Sequence, residues 1–343
     1  MIKIDGSYGE GGGQILRTAI GLSVITNESI EIYNIRKNRA NPGIKPQHYS
    51  SIKIVKKLCN AEVEGLEIGS KKIVFKPGKI KSGKFKFDIG TAGSVTLAFQ
   101  SIILDCINSN STNTIRLIGG TDVKWSPSWE FFTNVFLNLL KKMGINIDYN
   151  LINRGYYPKG GGEAEIKIEK VEKIKPFIVN SNLDFSKING LINISKLPDH
   201  ISKRIKHTII KHSIKKNLKT SIEIDKKESF SPGVGVTLWS KTDYTALGSA
   251  VIKEKGVSSE EVGKKCISRI IDDIISESTV DVYTFDQIIP YMALACKNGV
   301  SECYVRKISR HSETNMWLVK KFLDVKFDIK KQEKSYKINV TRS

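Results

Sequence analysis

Much of the vocabulary of common membrane, secreted and nucleotide-binding families is missing from these 343 residues. No run approaches the roughly 20 apolar residues that a membrane-spanning helix needs. The opening MIKIDGSYGEGGG lacks the basic-then-apolar order of a secretory signal. A cytoplasmic chain with no membrane attachment is therefore expected. Only five cysteines occur (Cys59, Cys106, Cys266, Cys296 and Cys303), and none forms a CxxC pair or a Cys/His cluster. That argues for a reduced compartment and against a zinc site. The glycine-rich start has neither the GKS/T ending of a Walker A loop nor a GxGxxG after a long buried strand, so no standard nucleotide fingerprint applies. Acid is also in short supply: 35 Asp+Glu face 55 Lys+Arg, a formal net charge of +20. Such a field draws polyanions, although a merely lysine-rich surface has the same composition.

What is present is an order of elements that recurs. GGGQILRTAIGLSVITNESIEIYNI (residues 11 to 35), TAGSVTLAFQSIILDCINSNSTNTIRLIG (from Thr91) and TFDQIIPYMALACKNGVSECYVRKI (from Thr284) each read as turn, apolar helix, short loop and strand. A polar loop and a second amphipathic helix follow each of them, near Gln47 to Leu58, Trp129 to Met143 and Glu313 to Leu323. Phe132, Val135, Phe136, Leu139 and Leu140 keep helical spacing in the second of these. The expectation is an α+β fold in which three repeated units each bury a helix pair on a small sheet.

Between the second and third units, about Asp184 to Ser276, the pattern changes. DHISKRIKHTIIKHSIKKNLK places Ile201, Ile205, Ile209, Ile214 and Leu218 on one stripe, with Lys and His opposite. Strand-like TSIEID and SPGVGVTLWS follow, and a helix from about Ser259 to Ser276 closes the segment. Residues 184–276 are expected to form a smaller inserted α+β domain, with 1–183 and 277–343 making the larger one. The basic face could meet nucleic acid or could simply be solvated.

Several side chains could do chemistry. DGSYGEGGGQILR sets glycines before a helix, where backbone can approach an anion. Glu10 in that turn and Arg17 seven residues on suit a metal plus a phosphate, or an ordinary turn with a surface ion pair. IRKNRANPGIKPQH concentrates Arg36, Arg39, Gln47 and His48 on a Pro-Gly turn, an arrangement suited to phosphate capture. Of the five histidines, His200, His207 and His212 lie on or beside the basic helix. His311, in RHSETN, heads a helix with Ser312 or Thr314 available as a cap. A neutral imidazole there can act as a nucleophile, or can serve packing and capping alone.

These blocks together resemble the RNA 3'-terminal phosphate cyclases. The likeness runs in order through GEGGGQILR, IRKNRANPGIKPQH, GTAGS, GGTDVKWSPSWEFF, RGYYPKGGGEAEI, LPDHISKRIK, SPGVGVTLWS, DQIIPYMALA and SRHSETN, nearly the whole chain. The resemblance implies three repeated units with a smaller insertion. It also implies an ATP-dependent ligase acting on RNA 3'-phosphate ends, with AMP carried on the histidine of SRHSETN, here His311. It assigns the adenylate site to Tyr283, Thr284, Phe285, Asp286 and Gln287, with Gln100, and suits Pro127 and Phe131 to flanking adenine. Glu10 takes the place of a carboxylate linked to Mg²⁺ or Mn²⁺. Arg17, Arg36, Arg39 and Gln47 take the place of residues that hold the RNA end or the triphosphate. YTFDQ and WSPSW depart from the commoner pattern, which puts nucleotide selectivity at issue. A non-catalytic cyclase-like RNA-binding factor of ribosome assembly shares this fold, and an enolpyruvyl transferase is built from similar units. Both fit the His311 block less well.

Overall fold

The computed structural model describes residues 1–180 and 183–343, and shows a mixed α and β chain organised around four small sheets. The first is built from β1 (Ile2–Asp5), β2 (Ile30–Tyr33), β3 (Glu62–Glu64) and β4 (Ile73–Lys76). Helix α1 (Gly13–Thr26) links β1 to β2, and α2 (Pro46–Cys59) leads on to β3. Because α1 carries the chain back across the sheet, β1 and β2 pair in parallel, Ile2 opposite Ile30. The sheet order is β1-β2-β4-β3. Both helices end on an asparagine in the left-handed conformation, Asn27 at φ 56° and Asn60 at φ 52°, which terminates the helical ladder.

The next stretch repeats that plan. β5 (Gly83–Asp88), α3 (Val95–Asp105) and β6 (Asn113–Gly119) form the parallel pair and its crossover. A second helix follows in three pieces: α4 (Trp129–Phe131), a π-helical turn at Phe132–Phe136, and α5 (Leu137–Lys142). β7 (Ile147–Asn153) and β8 (Gly162–Ile168) complete the order β5-β6-β8-β7, the same as in the first sheet.

Residues from Lys187 onward form a different layer: β9 (Lys187–Ser195), α6 (Asp199–Ile214), β10 (Lys219–Lys226), β11 (Gly233–Lys241), β12 (Ala246–Ile252) and α7 (Ser259–Ile275). The sheet order is β10-β9-β11-β12, and α6 and α7 pack side by side over it. Here the expected apolar stripe is shorter than the sequence suggested. Ile205 and Ile209 are fully buried, but Ile214 is 67% exposed and Leu218 lies beyond the end of α6. Ser213 takes the buried position instead, its hydroxyl donating to the Ile209 carbonyl, so the helix face turns away from the sheet in its last turn.

The chain ends with α8 (Val282–Ala295), β13 (Ser301–Val305), α9 (Arg310–Val319), β14 (Val325–Lys331) and β15 (Tyr336–Arg342). This sheet runs β13-β15-β14. Its first strand position is filled by the segment around Ile178, which bridges Glu302 in parallel. The Val179 N–H donates to the Glu302 carbonyl at 3.0 Å, and the Glu302 N–H donates to Phe177 at 2.7 Å. That edge therefore lies in the sequence before β9, while the rest of its sheet follows α7.

One apolar core runs through the first, second and last stretches, and a separate one draws only on residues from Phe185 to Ile271. Helix α1 sits centrally, touching α2, α3 and α9. Gly21 allows the close approach of α3, since a Cβ there would lie 2.6 Å from Leu104 Cδ2.

Across the boundary between the two cores lies a buried charge cluster. Arg154 is 4% exposed and donates from Nε and Nη2 to Asp225 of β10, at 3.1 and 3.0 Å. It also donates from Nη1 to Asp122 at 3.1 Å and from Nη2 to Glu130 at 2.5 Å. Asn193 of β9 donates to Asp122 at 3.1 Å and accepts from the Tyr156 hydroxyl at 2.8 Å. Burial, reinforced by the neighbouring Asp122, raises Glu130 above the ordinary carboxylate range.

Candidate active site

The glycine turn before α1 is fastened to the helix that carries His311. Gly9 and Gly11 adopt left-handed φ values of 56° and 58°, which let the chain fold back before α1 begins. Tyr8 stacks on Trp317 of α9 with ring centroids 3.9 Å apart and planes 11° from parallel. The Glu10 N–H donates to the Thr314 hydroxyl at 3.4 Å. Glu10 is thereby held against the start of α9.

The cap of α9 is neither Ser312 nor Thr314 but Ser309, whose hydroxyl accepts from the Ser312 N–H at 3.0 Å. Thr314 instead donates back to the Arg310 carbonyl at 2.6 Å, and Ser312 is fully buried. An extended residue is required at the cap, and Ser309 at φ −84°, ψ 160° supplies it. His311 consequently sits inside the first helical turn, with its side chain 43% exposed.

His311 Nδ1 donates to Gln14 Oε1 at 2.6 Å. That hydrogen bond selects the tautomer whose Nε2 carries the free lone pair. Nε2 lies 3.7 Å from Glu10 Oε2. Burial holds His311 below its usual pKa; Glu10 pulls it upward, while Arg17 and Arg39 push it further down. The outcome is a neutral imidazole, oriented from behind, with one nitrogen open to attack an electrophile.

The arginines divide by what they touch. Arg39 pairs with Glu10 at 2.8 Å and also donates to the Glu10 carbonyl at 2.9 Å. Glu10 therefore has Arg39, not Arg17, as its ion-pair partner. Arg17 has no hydrogen bond or ion pair among the described residues; burial brings it down to about 10, with Asp286 working the other way. Arg36, itself at φ 54°, donates to the Asn41 and Gly43 carbonyls at 2.8 and 3.2 Å and braces its own loop. Gln47 stands in the first turn of α2, where its carbonyl accepts from the Ser51 hydroxyl. His48 is buried under Gly13, and burial with nearby Arg17 lowers it to about 3. Its Nδ1 accepts from the Lys45 N–H at 3.3 Å, so it acts as a neutral cap of α2.

From His311 a cleft of about 540 Å³ runs between α1, α3, α8 and the β12–α7 region. It brings together Arg17, Gln100, Pro127, Phe131, Tyr283, Asp286 and Gln287. Gln100 and Gln287 hydrogen-bond to each other across it. Burial raises Asp286 well above the ordinary carboxylate range, with Arg17 opposing. Thr284 and Phe285 are not in the lining. The Thr284 hydroxyl donates to Asp281, the cap of α8, at 2.7 Å, and Phe285 is fully buried in the core.

Some lining residues escaped the reading of the sequence, among them Gln14, Tyr291, Asn315 and Arg269. For Gln14 a signal existed: it stands three residues before Arg17, on the same face of α1. Tyr291 Oη and Asn315 Oδ1 are buried without partners, so the cleft offers unsatisfied polar atoms as well as apolar wall. A second depression of about 560 Å³ lies between Lys320 and Lys326 and contains none of these groups.

No group of three or more metal-ligating side chains occurs among the described residues. Glu10 pairs with Arg39 through Oε1 and keeps Oε2 out of that pair, a single carboxylate donor of the kind an Mg²⁺-type ion takes together with substrate phosphates.

A family model described as RNA 3'-terminal phosphate cyclase matches residues 8–329. A Pyrococcus furiosus protein named RNA 3'-terminal phosphate cyclase is 40% identical over 96% of this chain and 95% of its own length. A relative of the same name from Methanopyrus kandleri is 39% identical, covering 97% of this chain and 96% of itself. The likewise named protein of Methanococcoides burtonii is 40% identical, with 99% and 100% covered.

Proposed function

The chain belongs to the RNA 3'-terminal phosphate cyclase family, and we propose that it uses ATP to convert an RNA 3'-terminal phosphate into a 2',3'-cyclic phosphodiester. The observation that carries this reading is His311, which lines the cleft with Nδ1–H committed to Gln14 and shares it with Arg17, unpartnered among the described residues.

In the first step, Nε2 attacks the α-phosphorus of ATP. The N–P bond forms as the bond to pyrophosphate breaks, and pyrophosphate leaves with the electron pair. An oxygen of the RNA 3'-phosphate next displaces imidazole, giving RNA(3')pp(5')A and returning the lone pair to Nε2. The neighbouring 2'-hydroxyl then attacks the activated phosphate, closing the ring and expelling AMP. Each transfer loads negative charge onto oxygens that cationic groups must hold. That work is assigned to Arg17, which lines the cleft, and to Arg39, which pairs with Glu10 beside His311; Arg36 and Gln47 are read as supporting them from the following loop and the start of α2. Glu10 would supply a ligand to Mg²⁺ or Mn²⁺, whose contribution when bound is to neutralise phosphate oxygens.

Adenine is assigned to the stretch between Pro127, Phe131 and the Gln100–Gln287 pair, with Tyr283 and Asp286 at its border. Thr284 and Phe285 are given an indirect role, since they seat α8 and so fix Asp286 and Gln287. The segment 184–276 is read as a smaller domain inserted into a larger one of three repeated units, 1–183 with 277–343. The parallel strand pair and crossover helix in the first two stretches, and the parallel bridge of Ile178 to Glu302 in the last, support that reading. A cytoplasmic location is part of this reading, supported by five free buried cysteines; among the described residues no helix is long and apolar enough to cross a membrane.

Incubation with labelled ATP should leave acid-labile, base-stable AMP on the protein, and a 3'-phosphorylated oligoribonucleotide should then be cyclised. The same oligonucleotide ending in a 2'-deoxyribose should stall as the adenylylated species, because ring closure takes its nucleophile from the RNA. Absence of protein-bound AMP would favour the RNA-binding alternative.

A further inference from the structure

The lip of the cleft carries a feature that the proposed chemistry leaves unused. Trp125 lines the cleft, is 87% exposed, and has its backbone in the left-handed region at φ 63°. Bulky residues avoid that region because the Cβ crowds the following carbonyl. The surrounding structure holds it there from both sides. Upstream, the Thr121 N–H donates to the Gly155 carbonyl at 2.9 Å, and Asp122 is locked by Arg154. Downstream, the Ser126 hydroxyl donates to the Val123 carbonyl at 2.9 Å, and the Pro127 carbonyl accepts from Thr96 at 2.8 Å. A sparsely populated conformation fixed in this manner is found where ligands are clamped.

The indole is also a half-finished stack. Lys124 Nζ stands 4.4 Å from its ring centroid, and Glu254, just after β12, holds that ammonium at 2.6 Å. Trp125 stacks on no other aromatic ring, and Lys124 is the one cation over its ring, among the described residues. With one cation over the ring and most of the indole in solvent, π-surface is left available to a planar ligand.

We propose that Trp125 is a stacking platform for the purine base of the nucleoside triphosphate that enters this cleft. The inference rests on the ATP reading above and adds the residue that covers the outer face of the base. A nucleotide is favoured over RNA because Trp125 lines the same cleft as Pro127 and Phe131, only two and six residues further along the chain. The same cleft holds the amides of Gln100 and Gln287, which can meet a base edge. Stacking of this kind accepts any base, since every base has a π-face. The platform should therefore strengthen binding of ATP and GTP alike, leaving discrimination to the amides.

The test uses the full chain without RNA. Tryptophan fluorescence should be quenched saturably by ATP, and the quench should vanish in Trp125→Gly, a residue that suits the observed φ. Equilibrium dialysis should show ATP bound about tenfold more weakly by that variant, while Trp125→Phe keeps most of the affinity. Unchanged ATP affinity in Trp125→Gly would overturn the proposal, as would a Trp125 quench produced by oligoribonucleotide and not by ATP. Trp125→Phe binding as poorly as Trp125→Gly would also count against stacking. Failure of AMP to appear on His311 would defeat the catalytic reading while leaving this binding result standing.

Discussion

The clusters around Arg154 and around His311 are both assembled from segments far apart in sequence, yet they end in opposite states. Arg154 is enclosed, and its guanidinium is shared among Asp122, Glu130 and Asp225. At the cleft, Arg17 has no protein partner among the described residues, and Arg39 has one carboxylate at a half-open site. A guanidinium whose donors are already spent cannot take up a phosphate; one with donors to spare can. With a net charge of +20, counting cations would not separate the two. Counting their unmet hydrogen bonds does.

The comparison can be broken by removing one member from each side. His311→Ala should abolish protein-bound AMP, read by intact mass, while leaving the melting temperature nearly unchanged, because the side chain is 43% exposed. Retention of AMP would remove His311 from the mechanism. Arg154→Ala should do the reverse and strand three carboxylates, two of them deeply buried. A loss of about 3–5 kcal/mol is expected from denaturant unfolding, and a loss below about 1 kcal/mol would show that the cluster is not a structural lock. Arg17→Ala and Arg39→Ala should cost less stability, of order 1 kcal/mol or under for the half-exposed Arg39 pair. Both should slow cyclisation more than AMP loading. Equal slowing of the two steps would place these arginines on the triphosphate of ATP.

The smallest effect concerns pH. His311 must be neutral to attack, and its pKa is held below the ordinary 6.5. AMP loading should therefore persist as pH falls to 6.5 and decline only at lower values. Glu10 favours the charged form and Arg39 opposes it. Glu10→Gln should then move the acid limb downward and Arg39→Ala should move it upward, measured as initial rates of adenylylation. A common direction in both variants would mean that the limb belongs to another group.

The family, and the mixture of helices with small sheets, were legible in the chain because both rest on local order: blocks such as GEGGGQILR and SRHSETN, and apolar positions at helical spacing. The cap of α9 was misplaced, since Ser309, Ser312 and Thr314 are all capable residues and only the backbone at Ser309 decides among them. The α6 stripe was overextended because periodicity does not reveal where a helix leaves its sheet; exposed Ile214 marks that point. Gln14 and the Arg154 cluster depend on contacts across long separations, Gln14 reaching His311 and Arg154 reaching Asp225. Beyond the helical face that Gln14 shares with Arg17, a single sequence carries no mark of such pairings. Thr284 and Phe285 show the converse, since one contiguous helical motif sends Tyr283, Asp286 and Gln287 to the cleft and the two residues between them into the interior.

The edge strand at Ile178 has a consequence for how the molecule is made. Its partner, Glu302, is 124 residues further along the chain, and a ribosome adding about 5–20 residues per second needs roughly 6–25 s to reach it. Throughout that interval the segment 185–275 can close on its own apolar core, while residues near Ile178 have no strand to join. Nascent chains arrested short of Glu302 should therefore be cut by protease near Ile178 and resist cutting within β9 to α7. Birth order and folding order diverge at this one segment: the last sheet to be finished begins with a piece synthesised before residues 185–275 exist.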